Sequence, residues 1–458
     1  MELIAAIATA QSPSAVGIVR LSGEGTRDAL AALFTPANGM AVSDLPYRRM
    51  TYGDVRDETG ALLDRCMAVC FSAAHSYTGE ESAEIHCHGS PVVLGEVLRA
   101  AFRAGARQAR PGEFTQRAFL NGKMDLTEAE AVIDLIDAET AECARNAAAQ
   151  LSGALRRPIE AVYDRLLDSS SRFYAIVDYP DEEIEDLSRE ETAASLTASE
   201  EVLSDLLGTF ARGRVLKSGV ATAIVGAPNA GKSSLLNALV GFERAIVTDI
   251  AGTTRDTVEE KATLGGVLLR LIDTAGIRET HDAIESIGIE RTFQKLDQAD
   301  IVLWMIDATD ASLQIAQLSE KILPRSEGKQ LILVFNKADL LTDRQLKPTG
   351  LPENVQSIFI SAKKREHIDK LQDLLIQAAH IPSLSSNDVI VTNIRHYEAL
   401  THALESIHHV QEGLSANLSG DFISQDLREC IFHLSDIVGE VTTDQVLGNI
   451  FERFCIGK

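Results

Sequence analysis

A chain of 458 residues is long enough for about three domains and more than one buried core. With 45% hydrophobic and 24% charged residues it has an ordinary globular composition, which excludes a disordered chain. A net charge of -24 argues against a protein that grips nucleic acid by itself over a large surface, so any RNA role needs a local basic patch or a partner.

Met1 to Ala10 is apolar, but Glu2 stands where a signal peptide carries positive charge, and no run approaches the length of a membrane span. A cytoplasmic protein with no membrane association is expected. The cysteines Cys66, Cys70, Cys87, Cys143, Cys430 and Cys455 lack zinc-type spacing, which in a long chain predicts reduced thiols rather than a disulfide framework. His86-Cys87-His88 looks like a metal-binding run, yet consecutive residues of a strand alternate faces, so it is read as structural.

From Ala15 to about Phe119 the pattern is mixed. Val16 to Leu21, Met67 to Phe71 and Ala83 to His86 are predicted strands, and Val92 to Ala104 a helix ending at Gly105, which together make an α+β unit over 1–119. From about Asn121 the composition turns to Ala, Leu and Glu, with a predicted capping box at Thr127 and Glu130. Leu151, Leu155, Ile159, Val162 and Leu166 recur at steps of four and three, an apolar stripe on one long helix. Pro180 and the acidic run from Asp181 to Asp186, read as a solvated turn, interrupt it. A second box, Ser188 with Glu191, opens a helix through Leu203, Leu206 and Phe210. Residues 120–217 are thus an all-α segment.

Over 218–381 apolar strands alternate with helices, as in a doubly wound sheet. Val220 to Val225, Leu268 to Ile272, Ile301 to Ile306, Leu331 to Phe335 and Ser357 to Ile360 are the predicted strands. The remainder, 382–458, is helical again, with Leu427, Ile431, Leu434 and Val438 on one face and a cap at Thr442 and Gln445. A tail this short can hardly build a large core alone. It is expected to pack on the helices before Ser218, which makes the α/β domain an insertion in one helical domain.

The chemistry starts at Gly226-Ala227-Pro228-Asn229-Ala230-Gly231-Lys232-Ser233, between a strand and a helix. Its glycines let N–H groups turn inward around phosphate oxygens, Lys232 reaches the terminal phosphates, and Ser233 ligates Mg2+ at a positive helix N-terminus. Further stretches follow in the order a guanine-nucleotide switch requires. In Asp249-Ile250-Ala251-Gly252-Thr253-Thr254-Arg255-Asp256, a threonine closes on Mg2+ when a γ-phosphate is present. Asp273-Thr274-Ala275-Gly276 places a carboxylate near the metal and an N–H near the γ-phosphate. In Asn336-Lys337-Ala338-Asp339, the Asp339 carboxylate can accept from both N1–H and the 2-amino group of guanine, a pair adenine does not offer. Ser361-Ala362-Lys363 completes the base pocket. Together these predict an α/β domain that binds GTP and rejects ATP.

Ras-like switches orient the attacking water with a glutamine after the Asp-x-x-Gly motif, but here Ile277 stands there. Glu279, Asp282, Glu285 and Glu290 are the nearby carboxylates able to replace it, and the residues alone do not choose between them. No arginine is placed as a finger in cis, and a monovalent cation is a substitute for that charge. The side-chain carbonyl of Asn229 could ligate one, with loop carbonyls from the Thr248 to Thr253 segment completing its shell.

Gly226 to Ser234, Asp249 to Asp256, Asp273 to Arg278, Pro111 to Lys123 and the terminal Phe454-Cys455-Ile456-Gly457-Lys458 together resemble the MnmE (TrmE) family of tRNA modification GTPases. The resemblance covers essentially the whole chain. Pro111 to Lys123 and the Cys-Ile-Gly-Lys ending are specific to that family among GTPases, whereas the switch motifs are shared widely.

The resemblance implies three parts: an N-terminal α+β tetrahydrofolate-binding domain that dimerises, an all-α central domain, and an inserted Ras-like P-loop GTPase domain. It implies GTP contacts from Asn229, Ala230, Gly231, Lys232, Ser233 and Ser234. Thr248, Asp249, Ile250, Ala251, Gly252, Thr253 and Thr254 would join them, as would Asp273, Thr274, Ala275 and Gly276. Asn336, Lys337, Asp339, Ser361, Ala362 and Lys363 would hold the base. Mg2+ would fall to Ser233 and Thr254, and K+ to Asn229, Thr248, Ile250 and Thr253. Glu285 matches the family's water-orienting glutamate. Arg20, Glu84, Lys123 and Lys458 match folate-contacting positions, and Cys455 is a candidate functional thiol.

Similar proteins act as homodimers, in a heterotetramer with the FAD-binding MnmG, on carbon 5 of the wobble uridine of certain tRNAs. Their one-carbon unit is expected from a 5-formyl or 5,10-methylene tetrahydrofolate. A rival reading is a GTP-gated assembly factor for ribosomal RNA, but neither a basic Gly-x-x-Gly clamp nor a basic tail is present in the sequence.

Overall fold

The computed structural model describes residues 1–178, 189–240, 259–273, 296–341, 355–379, 389–416, 418–440 and 443–457. Two compact units emerge: Met1–Ile133 with Ala149–Leu203 and Glu398–Lys458, and Asp134–Ala148 with Ser204–Tyr397. Among the described residues no helix is long and apolar enough to cross a membrane.

In the first unit, β1 (Ile4–Ile7), β2 (Ser14–Ser22), β3 (Phe34–Pro36), β4 (Thr51–Arg56), β5 (Leu62–Phe71), β6 (Ser82–Gly89) and β7 (Arg107–Gln108) form one sheet in the order β3-β4-β5-β6-β2-β1-β7. Pairing is antiparallel except between β1 and β7. Leu30 and Leu33 of α1 (Thr26–Leu33) and Leu94 and Val97 of α2 (Pro91–Arg103) join Val19, Leu21, Ala68 and Ile85 in one core. The strands and helix predicted from periodicity are all present. β1, β3, β4, β7 and α1 were not, being too short or too weakly patterned to signal. On β6 Cys87 is buried, while the flanking histidines bond carboxylates instead, His86 with Glu84 at 3.1 Å and His88 with Asp64 at 2.8 Å.

The helix α3 (Glu113–Leu120) is fastened through a buried carboxylate. Glu113 pairs with Arg107 at 2.6 Å and Arg117 at 3.0 Å and accepts the Arg110 N–H at 2.9 Å. Arg117 in turn reaches Glu80 at 2.8 Å and the Glu2 carbonyl at 2.9 Å. Three segments distant in sequence, at Glu2, at Glu80 and from Arg107 to Arg117, are thereby cross-tied around one helix.

Helices α4 (Leu126–Ile136), α5 (Ala141–Leu151), α6 (Arg156–Asp178), α7 (Arg189–Gly208) and α8 (Phe210–Ser218) follow. Two expectations are corrected here. The box that opens α4 is Asp125 with Glu128, not Thr127 with Glu130. The Asp125 carboxylate accepts the Glu128 N–H at 2.7 Å and Glu128 accepts the Asp125 N–H at 2.9 Å, while Thr127 lies inside the helix and donates to Asp125. The apolar stripe is not one helix. Gly153, at φ +78°, stops the chain after α5, leaving Leu151 exposed while Leu155, Ile159, Val162 and Leu166 of the α6 region are buried. Pro180, the acidic run and Ser188 lie outside the described residues. Leu203 and Leu206 are buried, but Phe210 belongs to the separate helix α8, where it stacks on Tyr397 at 4.2 Å.

In the second unit, β8 (Val220–Gly226), β9 (Glu259–Leu264), β10 (Val267–Asp273), β11 (Ile301–Asp307), β12 (Gln330–Asn336) and β13 (Gln356–Phe359) are ordered β13-β12-β11-β8-β10-β9. All pairs are parallel except β9 with β10. Helices α9 (Lys232–Val240), α10 (Ala311–Ile322) and α11 (Ile368–Ala378) sandwich the sheet. Leu235, Leu239, Leu371 and Leu375 close over Ile224, Leu303 and Val334, and Ala311 and Ile315 over Val225, Trp304 and Phe335. This is the doubly wound fold expected. Strand order reverses at β8, so the crevice beyond its carboxyl end is the switch point where such folds bind ligands. The strand β9 was missed because Glu259, Glu260 and Lys261 hide its alternation on an edge.

Helices α12 (Ile394–Ser415), α13 (Gly420–Val438) and α14 (Asp444–Phe451) end the chain, and α13 packs along α6, so the α/β unit is inserted in a helical frame. The buried face of α13 is Ile423, Leu427, Cys430, Leu434 and Ile437. Ile431 and Val438, predicted on it, are only half-buried. The cap of α14 is Thr443, which accepts the Val446 N–H at 3.4 Å; Thr442 lies outside the described residues. Phe451 and Phe454 pack with Phe119 and Leu126, and Pro111 bridges Ile456, so the two family-specific stretches meet.

Burial would raise the Glu113 carboxyl, but the bonds from Arg107, Arg110 and Arg117 outweigh it and hold its pKa to about 2, below the ordinary 4.5. A depressed carboxylate contributes stability above pH 4.5 and loses it as pH falls toward 2. The contribution is on the order of 3 kcal/mol. The gap in thermal midpoint between wild type and Glu113→Gln should therefore be widest near neutral pH and shrink through that acid window. A gap constant with pH would refute this.

Candidate functional site

The strand β8 ends at Gly226, and α9 begins at Lys232, with the turn between them closed by Ala230 N–H on the Ala227 carbonyl at 3.3 Å. The first-turn N–H groups of α9 and its positive end therefore point into the switch-point crevice. Lys232 curls across the loop, donating to the carbonyls of Gly226 and Ala227, both at 2.9 Å. Ser233 and Ser234 are exposed in the first turn of α9, and Asn229 is exposed in the loop at φ +62°, a left-handed conformation that asparagine tolerates better than most.

The base side is tied to this loop by Asn336. Its buried Nδ2 donates to the Ala230 carbonyl at 2.8 Å, and its Oδ1 accepts the Ala362 N–H at 3.0 Å. The Asp339 turn is placed by Ala338 N–H on the Ile360 carbonyl at 3.0 Å. A hydrogen bond from Ser361, followed by backbone and Lys364 contacts, holds the Asp339 carboxyl below its ordinary value, so it stays an acceptor. Ser361 itself is buried and Lys363 exposed. Lys337 points elsewhere, to Asp307 at 2.5 Å.

The remaining predicted nucleotide residues are not all placed. Asp273 ends β10 opposite Ile224, which puts its backbone beside the loop. The side chain of Asp273 and residues Thr248, Asp249, Ile250, Ala251, Gly252, Thr253, Thr254, Thr274, Ala275, Gly276 and Glu285 lie outside the described residues.

In the first unit Arg20 and Glu84 face each other across β2 and β6. Arg20 Nε and Nη2 both lie 2.9 Å from Glu84 Oε1, and Nη1 donates to the Gly457 carbonyl at 3.5 Å. The rings of Tyr77 and Phe114 sit 5.6 Å from its guanidinium. The other Glu84 oxygen takes His86. Lys123 donates to the Ala74 carbonyl at 2.8 Å, and Lys458 lies outside the described residues, following Gly457 directly. Cys455 is exposed while the other cysteines are buried, and burial pushes the Cys430 thiol up to about 12. The sequence reading missed Tyr77, Phe114 and Asp307. Phe114 lies within the Pro111 to Lys123 stretch, and Asp307 directly follows the strand predicted from Ile301 to Ile306, so both carried a positional signal.

A family model described as the MnmE helical domain matches residues 126–455, and one described as the GTP-binding protein TrmE N-terminus matches 3–123. The chain belongs to the MnmE family. A protein of Bacteroides fragilis strain YCH46 named tRNA modification GTPase MnmE is 52% identical, covering 100% of this chain and 99% of that protein. Its namesake in Bacteroides thetaiotaomicron is 50% identical with the same coverage. Among solved structures, Aquifex aeolicus Era bound to GDP and aluminium fluoride is 27% identical over 41% of this chain and 66% of its own, with a TM-score of 0.27. The strand order, not that superposition, carries the fold. For an MnmE chain, a phosphate loop bonded directly to the base-side turn accounts for two of the family's shared motifs in one connected site.

Gly231 is where those motifs touch. At φ +98°, a Cβ there would lie 2.2 Å from Asn336 Nδ2. Gly231→Ala should expel the Asn336 amide and weaken GTP binding roughly 10- to 100-fold by calorimetric titration. Unchanged affinity would contradict the coupling.

Proposed function

We propose that this chain is a GTP hydrolase of tRNA modification that, with an FAD-binding MnmG-type partner, alters carbon 5 of the wobble uridine in certain tRNAs by aminomethyl or carboxymethylaminomethyl addition. The observation that carries the reading is full-length family membership, and the Asn336 bonds that join Ala230 to Ala362 support it. The proposed division is 1–119 for folate binding and dimerisation, 120–217 and 382–458 for the helical domain, and 218–381 for the G domain. The chain works as a cytoplasmic homodimer and in a heterotetramer with that partner, which supplies much of the tRNA surface that a charge of -24 denies it.

In the G domain, Lys232 leaves the Gly226 and Ala227 carbonyls for the terminal phosphates, and the first-turn N–H groups of α9 accept the phosphate charge. Ser233 offers a hydroxyl oxygen, the hard donor Mg2+ prefers, and Thr254 supplies a second. Asn229, on the exposed crest of the loop, holds K+ with Thr248, Ile250 and Thr253. Bound Mg2+ and K+ supply the positive charge that the transition state needs and that no arginine finger provides. Glu285 orients the attacking water by accepting its proton-side hydrogen bond. GTP contacts come from the loop residues through Ser234, from the Asp249 to Thr254 segment, from Asp273 to Gly276, and from the base-side residues through Lys363.

Folate, as a 5-formyl or 5,10-methylene tetrahydrofolate, is assigned to Arg20, Glu84, Lys123 and Lys458. The support is chemical: an Arg–Glu pair with two aromatic rings near its guanidinium offers donors, acceptors and stacking surface to a pterin. Cys455, the exposed thiol beside this cluster in sequence, is the candidate reactive cysteine.

Mass analysis of tRNA nucleosides from a deletion strain should show loss of the modified wobble uridine, and an unchanged nucleoside profile would sink the reading. Purified protein should hydrolyse GTP faster in K+ than in Na+. Glu285→Ala should keep GTP affinity while losing most turnover, and equal rates in both salts or normal turnover in the variant would remove those assignments.

A further inference from the structure

Asp307 closes β11 opposite Asn336 in the β11–β12 ladder, so strand pairing alone brings it beside Lys337. It is 9% exposed, and its polar atoms are engaged on two sides. Its Oδ1 accepts the Thr309 N–H at 3.0 Å and the Thr309 hydroxyl at 2.7 Å, while Oδ2 meets Lys337 Nζ at 2.5 Å. Its own N–H is held by Gln314 Oε1 at 3.0 Å. Burial opposes ionisation here, but the Lys337 and Thr309 bonds outweigh it and keep the carboxyl below its ordinary value, so the contact is an ion pair at neutral pH.

Lys337 has φ +63°, a backbone conformation that a long side chain rarely adopts. Such a residue persists only where its surroundings over-determine it. Asn336, just before it, bonds the Ala230 carbonyl and the Ala362 N–H, and Asp339, two residues on, is the proposed base-reading carboxylate. Among the described residues, the side chain of Lys337 is anchored on Asp307.

We propose that Asp307 is a positioning residue of the base pocket, whose carboxylate fixes Lys337 and, through it, the turn that presents Asp339 to guanine. This rests on the reading of Asp339 as the base-reading carboxylate. The competing role is local: Asp307 also caps the short turn before α10 through Thr309, which would stabilise the fold without touching nucleotide selection.

Asp307→Asn separates the two, because an amide keeps an oxygen for Thr309 and presents an N–H group to Lys337 instead of a negative oxygen. In the full-length protein, the Kd for GDP should rise roughly tenfold, with KM for GTP rising similarly and kcat at saturation changing less than about twofold. In a Lys337→Ala background the same substitution should add less than about twofold, since the pathway is already cut. An equal penalty in both backgrounds, or an unchanged Kd, would overturn the proposal. If Asp307→Asn does not fold, Asp307→Ser keeps an oxygen for Thr309 and removes the charge facing Lys337, and it should raise Kd by a like factor; no rise would be equally decisive. Asp339→Asn is measured alongside and should shift preference from GDP to xanthosine diphosphate. Retained guanine preference there would bring down the base-pocket reading, whereas a clean shift with an inert Asp307→Asn would bring down the positioning role alone.

Discussion

The carboxamide of Asn336 is buried at the carboxyl end of β12, with its donor on the Ala230 carbonyl and its acceptor on the Ala362 N–H. A buried amide of this kind costs several kcal/mol if left unpaired. The candidate phosphate loop and the candidate base-side turn are therefore not independent elements that happen to be near each other. Either both adopt this arrangement or a polar group is stranded in the interior. That constraint explains why Gly231 has no side chain, since the space a Cβ would take is occupied by the amide.

The same logic, a buried polar group satisfied by segments far apart in sequence, organises the first unit. Glu113 is surrounded by Arg107, Arg117 and the Arg110 N–H, and Arg117 extends the network to Glu80 and the Glu2 carbonyl. Removing one partner of such a set leaves a desolvated charge, which is far more costly than losing a surface pair. The network fixes α3, and α3 carries Phe114 against Arg20. Electrostatics in the interior thus reaches the candidate folate cluster through the placement of one short helix.

Much of this was legible in the sequence, and the failures have physical causes. Every strand with a continuous apolar run, β8, β10, β11 and β12 among them, was visible because both faces of a covered parallel sheet are buried. The strand β9 was not, because an edge strand pairs through its backbone and Glu259, Glu260 and Lys261 are compatible with solvent. The helix caps were misplaced by small steps: Ser/Thr-x-x-Glu matched at Thr127, but Asp125 and Glu128 make the reciprocal bonds two residues earlier, which leaves Thr127 inside α4. Periodicity carried through Ser152 and Gly153 because a stripe does not register a break that preserves its phase. In the site, the nucleotide motifs were readable by type and order. The pairing of Arg20 with Glu84 was not, since a charge on a strand declares its partner only when the register is known.

The tail adds a constraint of order. Arg20 lies on β2, yet one of its hydrogen bonds goes to the carbonyl of Gly457. Gly457 is at φ +103°, and a Cβ there would fall 2.3 Å from the Ile7 carbonyl, so the terminal strand of contacts approaches β1 as closely as backbone permits. The Arg20 cluster therefore cannot be completed by the sheet alone. It requires the helical tail to return, with α13 on α6 and α14 on α3. Loop-closure cost grows only slowly with the length of the intervening chain, so an insertion of this size can stand between the helices of the frame without forbidding their contact.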